Sequence, residues 1–193
     1  MDLSKAFDCL PHKLLLLKLE AYHYGMSKSA LQLIENYLTN RKQCVKVGYV
    51  GTTLSNWQNI YKGILQGSIL GPVLFNIFLN NIFHFTTNST LYNYADDNTL
   101  AHADDNIDKI VETLEKDSLA LIEWFSCNQM KTNPDKFQAL AMSKKSMDKN
   151  IVFDLAGNKI KCEEEVKLLG VTIDFELKFN SHISNICKKH LGS

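Results

Sequence analysis

Two adjacent carboxylates near the middle of the sequence are the residues best suited to carry chemistry. Asp96 and Asp97 lie between two segments in which apolar and polar residues mix, 91–95 and 98–102. This pattern predicts two strands joined by a tight turn that exposes both acids. Carboxylates fixed in this way can hold Mg²⁺ ions for nucleotidyl transfer. Alone the pair is a weak signal, because adjacent acids also occur by chance on solvated turns.

The elements around this pair mix helices and strands. Helical spacing, with Pro near the start or Gly past the end, predicts helices at 11–25, 27–38, from about 72, 107–125 and from about 181. Alternation and turn residues predict a hairpin within 45–61 and strands within 137–142, 151–155 and 166–173. This order predicts an α+β domain, an antiparallel sheet backed by helices, over residues 1–193.

Composition limits the classes of protein that fit. A chain of 193 residues that is 45% hydrophobic is expected to form one domain. Its 21 basic and 21 acidic residues give no net positive field, which counts against a complete nucleic-acid enzyme. The five cysteines show no zinc-ligand or paired spacing, and no segment has the pattern of a signal peptide or membrane span. We expect an intracellular protein, in nucleus or cytoplasm, without a membrane partner.

Five ordered motifs resemble those of one enzyme family, the reverse transcriptases. Residues 94–97, Tyr-Ala-Asp-Asp, resemble its Y-A-D-D box, and residues 2–8 resemble its first acidic motif. Residues 66–72, Gln-Gly-Ser-Ile-Leu-Gly-Pro, resemble its Q-G-S-x-L-G-P loop. Residues 133–136 resemble the motif after the helix, and residues 167–174 resemble the L-L-G-V-x-I-D segment of non-LTR retrotransposon polymerases. The resemblance implies a polymerase palm that copies an RNA template.

The resemblance also implies a catalytic centre. Asp2, Asp96 and Asp97 correspond to the catalytic acids, which together with the backbone carbonyl of Leu3 would hold two Mg²⁺ ions, or Mn²⁺ as a substitute. The implied substrates are deoxynucleoside triphosphates, and the implied partners are an RNA template and a DNA primer. The oligomeric state is not implied. The alternative for each acid is a solvated position on a turn, and Asp104-Asp105, ahead of a helix, is expected to be such a case.

Other residues take roles by resemblance, each with a structural alternative. Phe7 corresponds to the gate beside the incoming sugar, or else belongs to the core. Nucleotide binding is implied for Gln66 and Gly67, although Leu65 replaces the family's Pro and loosens that loop. Lys136 corresponds to a cation near the departing pyrophosphate, or is a solvated lysine. The segment that grips the primer, or else an ordinary core strand, comprises Leu168, Leu169 and Gly170.

The start and end of the sequence suggest a truncated polymerase. In the family, an apolar strand and a basic fingers region precede the first acidic motif, whereas here Asp2 follows Met1 directly. We therefore expect missing fingers, a shortened thumb and weak or absent activity of this chain alone. The alternative is a noncatalytic retrotransposon remnant that at most binds metal or nucleic acid weakly. A viral RNA polymerase or a group II intron maturase shares the palm, but residues 168–174 favour the retrotransposon branch.

Overall fold

Helices and short strand pairs make up the computed structural model, which describes residues 1, 3, 5–21, 25–48, 53–65, 67–142 and 151–191. Two of the expected site residues, Asp2 and Gln66, lie outside the described residues. Contacts divide the chain into two units. The helical unit comprises Leu3–Ile82 and Phe125–Lys131, and the strand unit comprises Met1–Asp2, Phe83–Trp124 and Thr132–Ser193. The expectation of one domain over 1–193 stays a prediction.

In its described residues, the helical unit contains four α-helices: α1 Ala6–Cys9, α2 His12–Ala21, α3 Lys28–Leu38 and α4 Leu70–Leu79. The hydroxyl of Ser27 caps α3 by accepting a hydrogen bond from the backbone N–H of Ala30 (3.2 Å). The predicted helices at 27–38 and near Pro72 are thus confirmed. Apolar side chains that are less than 2% exposed form the core of this unit: Leu10, Leu15, Leu19, Leu38, Phe75, Phe78, Leu79, Ile82 and Phe125.

A buried lysine joins two of these helices. Lys18 of α2 is 8% exposed, and its ammonium donates to the carbonyl of Phe78 (2.9 Å) and to Asn81 Oδ1 (3.2 Å). Burial disfavours the charged form and lowers the pKa of Lys18 to about 8. The interaction fixes the C-terminal end of α4 against α2.

A long hairpin connects α3 to the segment before α4, as the alternating residues predicted. Strands β1 Lys42–Gln43 and β4 Gln58–Asn59 pair antiparallel, and inside them β2 Lys46–Val47 pairs with β3 Thr53–Leu54. The side chains of all four strands are exposed. We call residues Arg41–Lys62 the basic hairpin.

The part of the strand unit that the structure describes combines three tight hairpins with two α-helices. Its elements are β5 Thr90–Tyr94, β6 Asp97–Ala101, α5 Ile107–Cys127, β7 Ala139–Leu140, β8 Val152–Leu155, β9 Asn158–Glu163, β10 Glu165–Leu168, β11 Val171–Asp174 and α6 Asn180–Leu191. The last three residues of α5 belong to the helical unit. Buried Phe137, Phe153 and Leu155 pack with Val111 and Leu114 of α5, so this helix covers the β7-β9-β8 sheet.

The sequence predicted the α+β class correctly, and the structure differs in details. β7 is shorter than the predicted strand at 137–142 and pairs parallel with β9, so not every strand pair is antiparallel. The predicted turn at 133–135 is a single 3₁₀ turn, Pro134–Lys136. The first long helix is described as far as Ala21, and the rest of the predicted helix, at 22–24, lies outside the described residues. Among the helices that the structure describes, none is both long and apolar enough to cross a membrane.

Candidate active site

The two acids lie at the end of the β5–β6 hairpin, as predicted. Tyr94 pairs with Asp97, which leaves Ala95 and Asp96 as the two turn residues. Ala95 has a φ of 51°, in the left-handed region that disfavours residues with a Cβ atom. Both carboxylate residues are half-buried. A two-residue turn between paired strands fixes the backbone of both acids, which metal binding at a defined geometry requires.

Two asparagine side chains support this turn from its inner face. Asn98 is 1% exposed, and its amide donates to the carbonyl of Asp96 (3.0 Å). The amide of Asn93 donates to the carbonyl of Ala95 (2.9 Å) and to Asn98 Oδ1 (3.0 Å). Both turn carbonyls therefore have a side-chain donor. Sequence reasoning missed this pair, although polar residues at two directly opposed positions of a hairpin are a usable signal.

The beginning of the chain pairs with the same hairpin. The nitrogen of Met1 donates to the carbonyl of Asn98 (2.6 Å), and the N–H of Asn98 donates to the carbonyl of Met1 (3.0 Å). Two exchanged bonds are the pattern of paired strands. They attach the residue before Asp2 to the residue after Asp97. This contact was not predicted, because Met1 and Asn98 are far apart in the sequence and no local pattern links them.

A buried carboxylate anchors the residues that lead into β5. Asp117 of α5 is 1% exposed. It accepts hydrogen bonds from the hydroxyl and N–H of Ser89 (2.6 and 2.8 Å) and from the N–H of Asn88 (3.1 Å). Burial alone would raise the pKa of Asp117, but these hydrogen bonds outweigh it and lower the pKa. Sequence reasoning missed this residue, because an acid within an amphipathic helix is normally solvated.

The donor set at the turn suits a hard divalent cation. Carboxylate oxygens from Asp96 and Asp97 are the ligands that Mg²⁺ prefers. Among the residues that the structure describes, no three His, Cys, Asp or Glu side chains are grouped as metal ligands. The implied third acid, Asp2, is outside the described residues. By contrast, Asp104 forms an ion pair with Lys109 (2.7 Å) and accepts from the N–H of Asn106, as expected for an acid ahead of a helix.

Phe7 lies in the helical unit. It is half-buried, and its ring stacks on Phe75 with centroids 4.4 Å apart and an angle of 18° between the planes. The next residue approaches Gly63 so closely that a Cβ atom at Gly63 would lie 2.8 Å from the Asp8 carbonyl oxygen. His12 Nε2 lies 2.5 Å from the carbonyl oxygen of Gly63. The backbone next to Phe7 therefore packs closely against Gly63, and the Phe7 ring packs against Phe75.

The loop before α4 has two turn-forming contacts. Gly67 has a φ of 81°, and a Cβ atom there would meet nothing within 4 Å. The hydroxyl of Ser68 donates to the carbonyl of Leu65 (2.8 Å) and accepts from the N–H of Gly71 (3.0 Å). Ser68 thereby closes the loop at the start of α4, even though Leu65 stands where the family has Pro. Leu65 itself is 46% exposed.

The remaining candidates occupy turns of the strand unit. Lys136 is exposed and ends the 3₁₀ turn, where its N–H donates to the carbonyl of Asn133 (3.1 Å). Leu168 is the last residue of β10, and Leu169 and Gly170 form the turn to β11 with φ values of 48° and 85°. Leu3, in the helical unit, is 3% exposed.

Two acids at a strand turn within an α+β unit are a feature that this site shares with the nucleotidyltransferases as a class. The comparison with protein families gives the particular family. The model described as "Reverse transcriptase (RNA-dependent DNA polymerase)" matches residues 1–173, which is most of the chain. The chain belongs to the reverse transcriptase family.

Relatives from mobile elements match along nearly the whole chain. It is 27% identical to the "Probable RNA-directed DNA polymerase from transposon BS" of Drosophila melanogaster, over 95% of this chain and 20% of the relative. It is 26% identical to the "RNA-directed DNA polymerase from mobile element jockey" of the same species, over 96% of this chain and 20% of the relative. The chain thus spans about a fifth of the length of these curated relatives. The predicted likeness to part of a non-LTR retrotransposon reverse transcriptase is confirmed.

Proposed function

We propose that this chain is the palm of an RNA-directed DNA polymerase, which extends the 3′-hydroxyl of a DNA primer along an RNA template with deoxynucleoside triphosphates. The observation that carries the proposal is the turn of Ala95 and Asp96, directly before Asp97, whose two carbonyl groups accept hydrogen bonds from Asn93 and buried Asn98. A turn fixed from inside can present two carboxylates without the reorganisation that a mobile loop would require.

Asp2, Asp96 and Asp97 would hold two Mg²⁺ ions, with the Leu3 carbonyl as a further ligand. When bound, Mg²⁺ would favour deprotonation of the primer hydroxyl and stabilise the negative charge on the departing pyrophosphate. The pairing of Met1 with Asn98 supports the inclusion of Asp2, since successive Cα atoms along a chain are only 3.8 Å apart. Without a cation, carboxylates about 4 Å apart repel by roughly 4 kcal/mol at an effective dielectric constant near 20.

The other roles follow from family membership and stay predictions. Phe7 would exclude the 2′-hydroxyl of a ribonucleotide, and its stack on Phe75 supports a ring held in one orientation; packing alone is the alternative. Gln66 and Gly67 would contact the nucleotide, and Lys136 would lie near the departing pyrophosphate. The turn at 168–170 would contact the primer.

The test uses a chimera, because the chain spans about a fifth of its relatives. Residues 1–173 replace the matching segment of the jockey polymerase, and primer extension on RNA is measured with Mg²⁺. Asp96→Asn should reduce the rate by at least about 10²-fold, since a charge that stabilises the transition state is lost. Asp104→Asn is the matched control, because Asp104 belongs to the other pair of adjacent aspartates and has a structural partner. Equal rates for Asp96→Asn and the unchanged chimera would contradict the proposal.

A noncatalytic remnant is the second candidate, favoured by Leu65 in place of Pro and by the balanced charge of the chain. The same variants separate the two in a melting experiment on the 193-residue chain. A site that retains its metal should melt at a higher temperature with Mg²⁺ in the unchanged chain and Asp104→Asn, and not in Asp96→Asn. A folded but inactive chimera together with no Mg²⁺ effect would favour the remnant.

A further inference from the structure

The basic hairpin, Arg41–Lys62, lies in a segment of unusual charge. Between Glu35 and Asp96 the sequence contains no acidic residue. All four of its Lys and Arg residues fall within the basic hairpin: Arg41, Lys42, Lys46 and Lys62. The balanced charge of the whole chain therefore conceals a local excess of positive charge, and an excess of this kind attracts polyanions.

The strand register places cations and aromatic rings on one face. Lys42 lies directly opposite Asn59, and the amide of Asn59 donates to the hydroxyl of Tyr61 (3.0 Å), so these three residues share a face. Trp57 comes directly before β4 and two residues before Asn59, so continuing the alternation of the strand by one residue puts Trp57 on this face as well. Lys46 pairs with Leu54 and lies two pleats after Lys42 on the same side of the hairpin. Its side chain therefore lies on the same face as that of Lys42. We call this set the hairpin face.

The aromatic side chains of the hairpin face are exposed to solvent. Trp57 is 65% exposed and Tyr61 is 73% exposed, and Lys42, Lys46 and Asn59 are exposed too. Arg41 is set apart, because its guanidinium donates to the Tyr37 carbonyl (3.1 Å) and lies over the Tyr37 ring. Large aromatic rings that are exposed to water beside exposed lysine side chains are stabilised when they stack on planar groups such as bases.

We propose that the hairpin face binds single-stranded RNA, with Trp57 and Tyr61 stacking on bases and Lys42 and Lys46 neutralising phosphates. This inference rests on the proposed function for the choice of RNA as the polyanion. The two rings are four residues apart, a spacing of about 13 Å at the rise of a strand, so they contact different bases. An anionic membrane also attracts lysines and aromatic rings, and proteins typically make such contacts with an amphipathic helix. Here the element is a hairpin, and its opposite face carries exposed Gln43 and Gln58. RNA is therefore the better match.

The test measures fluorescence anisotropy of labelled oligo(U) titrated with the 193-residue chain. Trp57→Ala should weaken binding about tenfold, since stacking contributes roughly 1–3 kcal/mol per base. Trp57→Phe, which keeps a ring, should stay within about threefold. The Lys42→Glu/Lys46→Glu pair should lower the slope of log affinity against log salt by about 1.4, at about 0.7 per phosphate contact on a single strand.

Matched controls keep the result specific. Lys159→Glu/Lys161→Glu introduces the same charge change on exposed lysines of β9 and should leave binding unchanged. Asp96→Asn should also bind oligo(U) normally, so an inactive polymerase and a failed hairpin face give different results. Unchanged binding by both Trp57→Ala and the Lys42/Lys46 variant overturns the inference. So does binding to phosphatidylserine vesicles without binding to oligo(U), or at least tenfold preference for oligo(dT) over oligo(U).

Discussion

The β5–β6 hairpin and the basic hairpin are built in opposite ways. In the first, a two-residue turn ends at Asp96, Asp97 begins the next strand, and a buried asparagine holds the turn from inside. In the second, short strands present two lysines, aromatic rings lie on either side of β4, and the strand side chains are exposed on both faces. One hairpin combines acids with buried hydrogen bonds, and the other combines cations with open surface.

The difference follows from what each kind of site needs. Metal-dependent chemistry loses rate when reactive groups move by about 1 Å, so its ligands require a backbone that neighbouring groups hold in place. A surface that stacks on bases and neutralises phosphates tolerates small movements, because every base has a flat face and every phosphate a charge. Exposure is useful to the second hairpin and would loosen the first.

The largest expected difference in stability is between two asparagine substitutions, one in each hairpin. Asn98→Ala should lower the free energy of unfolding by about 2–3 kcal/mol, because the Asp96 carbonyl and the Asn93 amide lose a buried partner. Asn59→Ala removes an exposed hydrogen bond to Tyr61 and should cost less than about 0.5 kcal/mol. Urea unfolding of both variants measures the difference. Equal losses would show that the two hairpins are held alike.

The sequence predicted what local patterns determine and missed what distant contacts determine. The mixed apolar and polar segments on either side of Asp96-Asp97 were enough to predict both strands and a turn, which lies one residue earlier, at Ala95 and Asp96. The contacts that hold this turn come from elsewhere: Met1 is far away in sequence, and Asp117 lies on a helix where an acid normally faces solvent. A neutral total charge likewise hid the acid-free segment, because a sum over the chain carries no information about position.

A smaller effect is expected on the pH dependence of stability, because Asp117 holds the residues that lead into β5 through its charged carboxylate. The lowered pKa of Asp117 means that the folded protein binds its proton less readily than the unfolded chain. Its contribution to stability is therefore fully present above the ordinary carboxyl pKa of 3.8 and is lost as pH falls through the lower folded value. Asp117→Asn should remove this part of the pH dependence and cost roughly 2 kcal/mol at pH 7.

The control for the acid experiment is Asp154→Asn, since that acid is exposed and its carboxylate accepts a hydrogen bond from the nearby Gly157 N–H in its own turn (2.9 Å). Unfolding by urea is measured from pH 3 to 7 for the three proteins. If Asp117→Asn keeps the pH dependence of the unchanged chain, the anchor does not depend on the charge of Asp117. The β5–β6 hairpin would then be held without a buried charge, as the basic hairpin is.

The smallest expected effect concerns the strain in the acidic turn. Ala95 has a φ of 51°, which costs about 1–2 kcal/mol for a residue with a Cβ atom. Glycine removes that cost but loses about 0.5–1 kcal/mol more entropy on folding. Ala95→Gly should therefore stabilise the protein by about 0.5 kcal/mol. Ala156, with a φ of 53° at the same position of the β8–β9 turn, provides a matched substitution without acids.

The two glycine variants separate strain from function. Both should gain similar stability in urea unfolding, because the backbone conformations match. Only Ala95→Gly should slow primer extension in the chimera, since the freed turn holds Asp96 and Asp97 less firmly. If both variants extend primers as fast as the unchanged chimera, Asn93 and Asn98 alone hold the acids in place and the conformation of Ala95 adds nothing. If Ala95→Gly lowers stability instead, the asparagine contacts depend on the left-handed alanine, and the fixed turn is a single cooperative unit.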